Sequence, residues 1–173
     1  MQKVMVIGCC GAGKSTFSKK LQERTQLQLI HLHQEHWHPN WQETPKDSWE
    51  KIVQKLALQP TWIMDGNYGG TLELRIQEAD TIIYLDYPTW IGLWRVFKRT
   101  LKHWRRERPD MVKGCRERFS WTFFHYVARY NKTRRAALLD TLNSINKKEM
   151  QIYIFRNDQE ADAFLTRIKG RNS

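Results

Sequence analysis

The chain has 173 residues, 40% apolar and 27% charged, and carries a net charge of +11. That length suits one domain able to bury a full core without staples, and three cysteines, two of them adjacent, exclude a disulfide framework and fit a reducing compartment. No apolar run approaches the ~20 residues of a membrane helix, and a first strand beginning within a few residues of Met1 leaves no room for a signal peptide, so a cytoplasmic location with no membrane partner is expected.

Strand and helix signals alternate along the chain. Lys3 to Gly8 reads as a first strand, Lys14 to Thr25 as a helix with Phe17, Ser18 and Leu21 inward, and Leu27 to Leu32 as a second strand. A Trp- and His-rich loop, His33 to Thr44, follows, and Thr44-Pro45 reads as an N-cap with proline at the first helical position. The helix from Pro45 to about Leu58 places Trp49, Ile52, Val53 and Leu56 at helical spacing, and Pro60 ends it. Thr61 to Met64 is a short strand closing on the loop Asp65-Gly66-Asn67-Tyr68-Gly69-Gly70, which leads into a short helix ending near Glu78. Thr81 to Leu85 forms a fourth strand, and Asp86-Tyr87-Pro88 turns into a long helix from about Thr89 to Trp104. Arg105 to Arg118 lacks apolar periodicity and reads as a loop or lid. A second long helical region runs from Phe119 to about Asn146 with a bend near Asn131; Gln151 to Phe155 is the last strand and Asp158 to Ile168 the closing helix. Such alternation predicts an α/β fold, a parallel sheet with helices on both faces.

The sharpest motif is Gly8-Cys9-Cys10-Gly11-Ala12-Gly13-Lys14-Ser15, a complete G-x-x-x-x-G-K-[ST] loop directly after the first strand. Its glycines let backbone N–H groups converge on phosphate oxygens, Lys14 brings a cation to the β- and γ-phosphates, and Ser15 offers a hydroxyl to Mg²⁺. The helix that begins here, with Thr16 in its first turn, adds its positive dipole end. Gly8, Gly11, Ala12, Gly13, Lys14, Ser15 and Thr16 are therefore the expected nucleotide-binding residues. Charge is concentrated as well: residues 95–135 hold fourteen Lys and Arg against three acidic side chains. That segment carries the whole imbalance, and its field attracts a nucleotide, a phosphorylated substrate or nucleic acid.

Ligands of such a sheet sit outside the carboxyl ends of its strands. Taken together, Gly8 to Ser15, the Trp62 to Tyr68 run, Leu74-Arg75, the Asp80 to Pro88 strand and the Arg108-Pro109-Asp110 segment resemble the bacterial DNA topology modulation proteins, a branch of the adenylate-kinase-like P-loop kinases. The resemblance covers nearly the whole chain. It implies a three-layer P-loop NTPase fold with a five-stranded parallel core, one domain over 1–173 with an acceptor region at 33–59 and an Arg-rich lid at about 104–118. It also implies ATP as phosphoryl donor, with an acceptor that is a nucleotide or another small molecule. An alternative is a nucleotide-regulated, DNA-associated protein working through the basic segment.

Asp65 is the expected Mg²⁺ carboxylate, acting with Ser15 and through water; its alternative is an Asx-type turn before Gly66. Asp86 either caps the following helix or faces the site. Arg75 either aims a bidentate guanidinium at an acceptor's phosphate or carboxylate or lies on the helix surface. Arg95 and Arg99, four apart, and Arg134 and Arg135 on the next long helix are candidates to stabilise the transferred phosphoryl group; Arg99, Arg134 and Arg135 join Lys14 and Asp65 as expected catalytic residues. Trp37, Trp41 and Tyr68 could stack on a planar acceptor or pack their own loop, and Asn67 belongs to the same acceptor side. Trp90, Trp94 and Trp121 are expected to pack the long helices together.

Four of the six histidines fall between His31 and His38. They suit an acceptor pocket better than a zinc site, because no nearby cysteine contributes and the spacing fits no familiar zinc signature. His33 stands where the resembled proteins carry an aspartate that orients or deprotonates the acceptor hydroxyl. A neutral imidazole accepts a proton near pH 7, but it brings no fixed negative charge.

Overall fold

The computed structural model describes residues 1–104, 111–115, 119–145 and 149–168. In chain order its elements are β1 (Lys3–Gly8), α1 (Lys14–Thr25), β2 (Leu29–His31), α2 (Leu32–His36), β3 (Trp37–His38), β4 (Gln42–Glu43), α3 (Lys46–Ala57), β5 (Trp62–Asp65), α4 (Leu72–Glu78), β6 (Thr81–Leu85), α5 (Thr89–Lys102), α6 (Trp121–Tyr130), α7 (Ala136–Asn143), β7 (Gln151–Phe155) and α8 (Asp158–Arg167). Five strands form the expected parallel sheet in the order β2-β5-β1-β6-β7. Side chains alternate across it with the period of two that a strand imposes. Met5, Ile7, Met64, Ile82 and Tyr84 meet α3, α4 and α7 through Trp49, Val53, Ile76, Leu138 and Leu142. Val4, Val6, Ile63, Ile83 and Leu85 meet α1 and α8 through Phe17, Leu21, Ala161 and Leu165. Helices thus cover both faces, as parallel sheets require.

Register positions the site. Gly8 pairs with Leu85, Val6 with Asp65 and His31 with Asp65, so the phosphate loop, the β5 carboxylate and the last residue of β2 emerge along one carboxyl edge.

Several local expectations need correction. The second strand is shorter than Leu27 to Leu32, because the chain turns helical at Leu32. The His33 to Thr44 stretch is also structured: α2 runs into an antiparallel hairpin, Trp37–His38 against Gln42–Glu43, turned by Asn40 and Trp41 at φ of 63° and 61°. Thr44 does not cap α3. Its hydroxyl donates to the His36 carbonyl at 2.8 Å and its N–H to the same carbonyl at 2.9 Å, tying the hairpin shut, while Pro45 precedes the helix without a side-chain cap. Trp90, Trp94 and Trp121 stay 68%, 52% and 79% exposed. The α5–α6 contact is built instead from Val96, Val127 and Tyr130 with Cys9.

The bend expected near Asn131 is a turn of π-helix over Asn131–Arg135. Most of the expected lid, including Arg108-Pro109-Asp110, lies outside the described residues; within it, 111–115 is anchored to the hairpin. The Cys115 thiol donates to the His38 carbonyl at 3.3 Å, and the Asn40 N–H to that of Gly114 at 3.3 Å.

Candidate active site

The phosphate loop leaves β1 through Gly8, Gly11 and Gly13 at φ of 148°, 83° and 92°, conformations that side chains disfavour. Space is equally restrictive: a Cβ on Gly11 would stand 2.3 Å from the Gly92 carbonyl oxygen of α5. Gly11→Ala is therefore expected to lower stability by at least about 2 kcal/mol and to weaken ATP binding together with it, measured by denaturant unfolding and calorimetric titration. Gly13 opens α1, which places a helix N-terminus at the loop. Lys14 Nζ donates to the carbonyls of Gly8 and Cys9 at 2.8 and 3.0 Å, so the cation waits on the loop's own backbone. Ser15 is half-buried and Thr16 exposed in the first turn of α1. Burial pushes the Cys9 thiol up to about 12, which leaves it unreactive.

Beside the loop lies a cleft of about 360 Å³ lined in part by Gly13, Thr16, Tyr87, Arg95 and Asp158. Arg95 pairs with Asp158, reaches the Ala12 carbonyl at 3.5 Å and lies over the Tyr87 ring at 5.4 Å. The cleft thus follows the loop toward the end of β7, where Asn157 accepts from the Glu160 N–H and caps α8.

Across the loop, Asp65 ends β5 with 1% of its side chain exposed. His31 Nδ1 lies 2.9 Å from its Oδ1 and His33 Nδ1 4.0 Å from the same atom. The other oxygen, Oδ2, is buried without a hydrogen-bond partner. Burial works to raise this carboxyl's pKa; the His31 hydrogen bond, the charges of His31 and His33 and the Ser15 hydroxyl outweigh it and hold it below the ordinary range. Asp65 is thus an anion beside the phosphate loop, and an orphaned buried oxygen on an anion is what a cation would satisfy. The carboxylate and the Ser15 hydroxyl fit the Mg²⁺ role expected of them, and the glycine cradle fits a phosphate chain.

His33 follows β2 on α2, 20% exposed, with its ring 5.3 Å from that of His31. His31, one of the four clustered histidines, is the direct partner of Asp65. The signal was its place at a strand end, two residues before His33.

The 66–70 loop is held from beneath. Arg75 is fully buried, and its guanidinium donates to the carbonyls of Gly66 at 2.9 Å, Tyr68 at 3.1 Å and Thr71 at 3.2 Å, and to that of Asn67 as well. The expected direct contact of Arg75 with an acceptor is replaced by this brace, since a guanidinium sealed against backbone has no face for a ligand. Asn67 is drawn inward too: its Oδ1 accepts the Gly8 N–H at 2.9 Å, coupling the 66–70 loop to the phosphate loop. Tyr68, at φ of 29°, packs on His36 and Trp49 at centroid distances of 4.8 and 4.9 Å, and Trp37 meets His36 and Trp41 edge-on. These aromatics form the wall of the hairpin.

His36 sits inside that wall, its Nδ1 buried without a partner. Burial lowers its pKa from the ordinary 6.5. A histidine depressed in the folded state contributes stability that is complete above its unfolded pKa and lost as pH falls through the folded value. His36→Phe should therefore flatten the loss of stability below pH 6.5, followed as urea midpoints against pH; an unchanged slope would remove His36 as its source.

The basic candidates divide. Arg135 pairs bidentately with Asp86, Nε to Oδ1 and Nη2 to Oδ2 both at 2.7 Å, and that hydrogen bond raises its pKa further. Asp86 therefore does not cap α5, which Pro88 precedes without a side-chain cap; its carboxylate holds Arg135 instead. Arg99 stands over the Phe123 ring of α6 at 5.9 Å. Arg134 remains exposed, its Nη1 4.0 Å from a Cβ built on Gly69, at the 66–70 loop.

These features define an α/β protein with a P-loop kinase-like fold. Among solved structures, a shikimate kinase from Acinetobacter baumannii in complex with shikimate is similar, with a TM-score of 0.62 and 16% identity over 97% of this chain and 90% of that one. A sugar kinase from a Janibacter species is similar at a TM-score of 0.50 and 16% identity, over 96% and 93% of the two chains. No family model matches the chain, and no curated protein matches it. The likeness establishes the fold. No helix among the described residues is long and apolar enough to cross a membrane.

Proposed function

We propose that this protein is an ATP- and Mg²⁺-dependent phosphotransferase that moves the γ-phosphoryl group to a hydroxyl of a small molecule or nucleotide. The observation that carries the reading is the placement of an anionic, partly orphaned carboxylate and two histidines beside a complete phosphate loop, on the side away from the Tyr87–Asp158 cleft. That leaves a donor half and an acceptor half on one sheet edge. Two kinases among the structural neighbours support it, as does the resemblance of Asp65-Gly66-Asn67-Tyr68 to the topology modulation branch.

In this reading the N–H groups at the Gly13-Lys14-Ser15 end of the loop and the α1 dipole hold the phosphates, the Gly8 N–H being held by Asn67, and Lys14 leaves the Gly8 and Cys9 carbonyls for the β- and γ-phosphates. Ser15 and Asp65 hold Mg²⁺, which when bound neutralises charge on the phosphate oxygens. Arg95 flanks the loop on the donor side and Arg134 approaches from the acceptor side. His33 takes the proton of the acceptor hydroxyl, and the Asp65 carboxylate stabilises the imidazolium that forms. Trp37 and Tyr68 bound the acceptor.

The test is single-turnover transfer from ATP to a panel of nucleoside monophosphates and small hydroxyl compounds. The expected result is transfer to one class, reduced by His33→Ala while ATP still binds. ATP binding without transfer to any member would overturn it.

A further inference from the structure

One cluster does more than the proposed chemistry requires. His31, His33 and Asp65 each offer a ligand atom within 4.8 Å of the others, the only such three-residue group of metal-ligating type among the described residues. Phosphate-bound Mg²⁺ prefers oxygen ligands and keeps its waters, whereas imidazole favours zinc and its neighbours. Two imidazoles on a carboxylate are therefore a donor set of the wrong character for magnesium alone. From this geometry we infer that His31, His33 and Asp65 form a three-ligand site for a zinc-class divalent ion.

The distances are those of a site nearly assembled. Zinc bonds of about 2.0–2.1 Å in a tetrahedron put ligand atoms roughly 3.3 Å apart. His31 Nδ1 and His33 Nδ1 stand 2.9 and 4.0 Å from Asp65 Oδ1, which bracket that value. Two ligands come from paired positions of adjacent strands, His31 opposite Asp65, so the sheet fixes their separation. The third is on the first turn of α2, where the chain becomes helical immediately after β2. The carboxylate also has capacity left for a cation, since Asp65 Oδ2 is buried and unpartnered on a side chain that is 1% exposed; the choice of a zinc-class ion over Mg²⁺ rests on the two imidazoles.

Zinc needs the imidazole lone pair, so on binding the Nδ1 of each histidine carries the metal and its proton resides on Nε2. Loaded, His33 is committed to the ion; it serves as a base only in the unloaded protein. The site does not rest on the phosphotransferase reading, because the ligands are defined without any acceptor.

The test uses untagged full-length protein stripped with chelator and titrated with Co²⁺, whose visible d–d bands report a low-coordinate nitrogen and oxygen environment, followed by displacement with Zn²⁺. One equivalent of Co²⁺ should bind, be displaced by Zn²⁺ and not by an equal concentration of Mg²⁺, and lose at least ~100-fold in affinity in His33→Asn, since even indirect partners of a metal are worth about 10–100-fold. His33→Asn alters a partly exposed position, and circular dichroism and ATP-analogue binding at the phosphate loop check its fold. His125→Asn, on an exposed helix face, should leave binding unchanged. Absence of the d–d bands, or affinity that survives both His33→Asn and Asp65→Asn, would overturn the site. Transfer is assayed separately on the chelator-stripped protein supplied with ATP and Mg²⁺, in which His33 is unloaded: zinc binding with no transfer there would leave the site standing and sink the kinase reading, and transfer without zinc binding would do the opposite.

Discussion

Replacing Lys14 with alanine will cost about 10²–10³-fold in the rate of phosphoryl transfer, the loss that follows removal of one preorganised donor from a developing negative charge. Lys14 Nζ is the one cation that the loop itself carries, since residues 8 to 15 contain no other basic side chain. Its resting bonds to the Gly8 and Cys9 carbonyls keep it within the loop without committing it to a carboxylate, so a phosphate oxygen has no ion pair to break. Arg135 shows the contrasting case, already held by Asp86 on both oxygens. Lys14→Ala should therefore fall far below Arg135→Ala in transfer, while Arg135→Ala should lose more stability by leaving the buried Asp86 without its counter-ion. Rates come from single-turnover transfer to whichever acceptor the panel yields, and stability from denaturant unfolding. Equal rate losses for the two variants would mean that Arg135 leaves Asp86 to serve the phosphates.

The donor half was legible in the sequence because its information is local. A loop motif of eight residues, the strand before it and the helix after it are adjacent in the chain, and apolar runs such as Thr81 to Leu85 and Gln151 to Phe155 coincide with β6 and β7. The other side of the site, around Asp65 and the 66–70 loop, is assembled from distant pieces, and there the sequence misled where a charged side chain turned inward. On α4, Leu72, Arg75 and Ile76 share the helical spacing that faces the core; spacing alone does not distinguish a surface arginine from one whose guanidinium closes on four carbonyls. The Asp86–Arg135 pair spans 49 residues, and nothing in either neighbourhood announces it. The Trp- and His-rich loop hid its helix and hairpin because two-residue strands carry no periodicity. Trp90, Trp94 and Trp121 failed in the other direction: helical spacing of large aromatics predicts a packed seam, but the small residue Gly92 and the branched Val96 bring α5 close to its neighbours instead.

These departures share a consequence for the site. The 66–70 side of it is not a set of polar residues projecting into a cleft; it is a loop held in an unusual shape by buried polar bonds. Gly66 at φ of 136° and Tyr68 at 29° are conformations that surrounding structure must impose. A Cβ on Gly66 would also press on Leu32 and the Tyr68 ring, at 3.1 Å from each. Asn67 connects that loop to Gly8, so any change of shape in 66–70 is felt at the phosphate loop.

Arg75→Met is the variant that should reveal this most plainly. Burial pulls the arginine pKa down to about 10, which still leaves the group charged at neutral pH, and its charge is balanced by carbonyl oxygens rather than by an acid. Methionine preserves much of the apolar volume but strands the carbonyls of Gly66, Asn67 and Tyr68, so the expected loss is about 3–5 kcal/mol. For a chain of this size that corresponds to roughly 10 °C in Tm. Arg75→Lys should fall between, because one ammonium cannot satisfy carbonyls that a planar fork reaches from three nitrogens. In the variants that remain folded, ATP affinity should fall together with acceptor affinity, since Asn67 loses its hold on the Gly8 N–H when the 66–70 loop relaxes. A direct acceptor contact would give a different pattern: an unchanged unfolding midpoint, unchanged ATP binding and a raised KM for the acceptor alone. Measuring Tm and both binding constants on Arg75→Met and Arg75→Lys separates the two, and the first pattern would establish Arg75 as the residue that positions the acceptor-side loop over the phosphate loop.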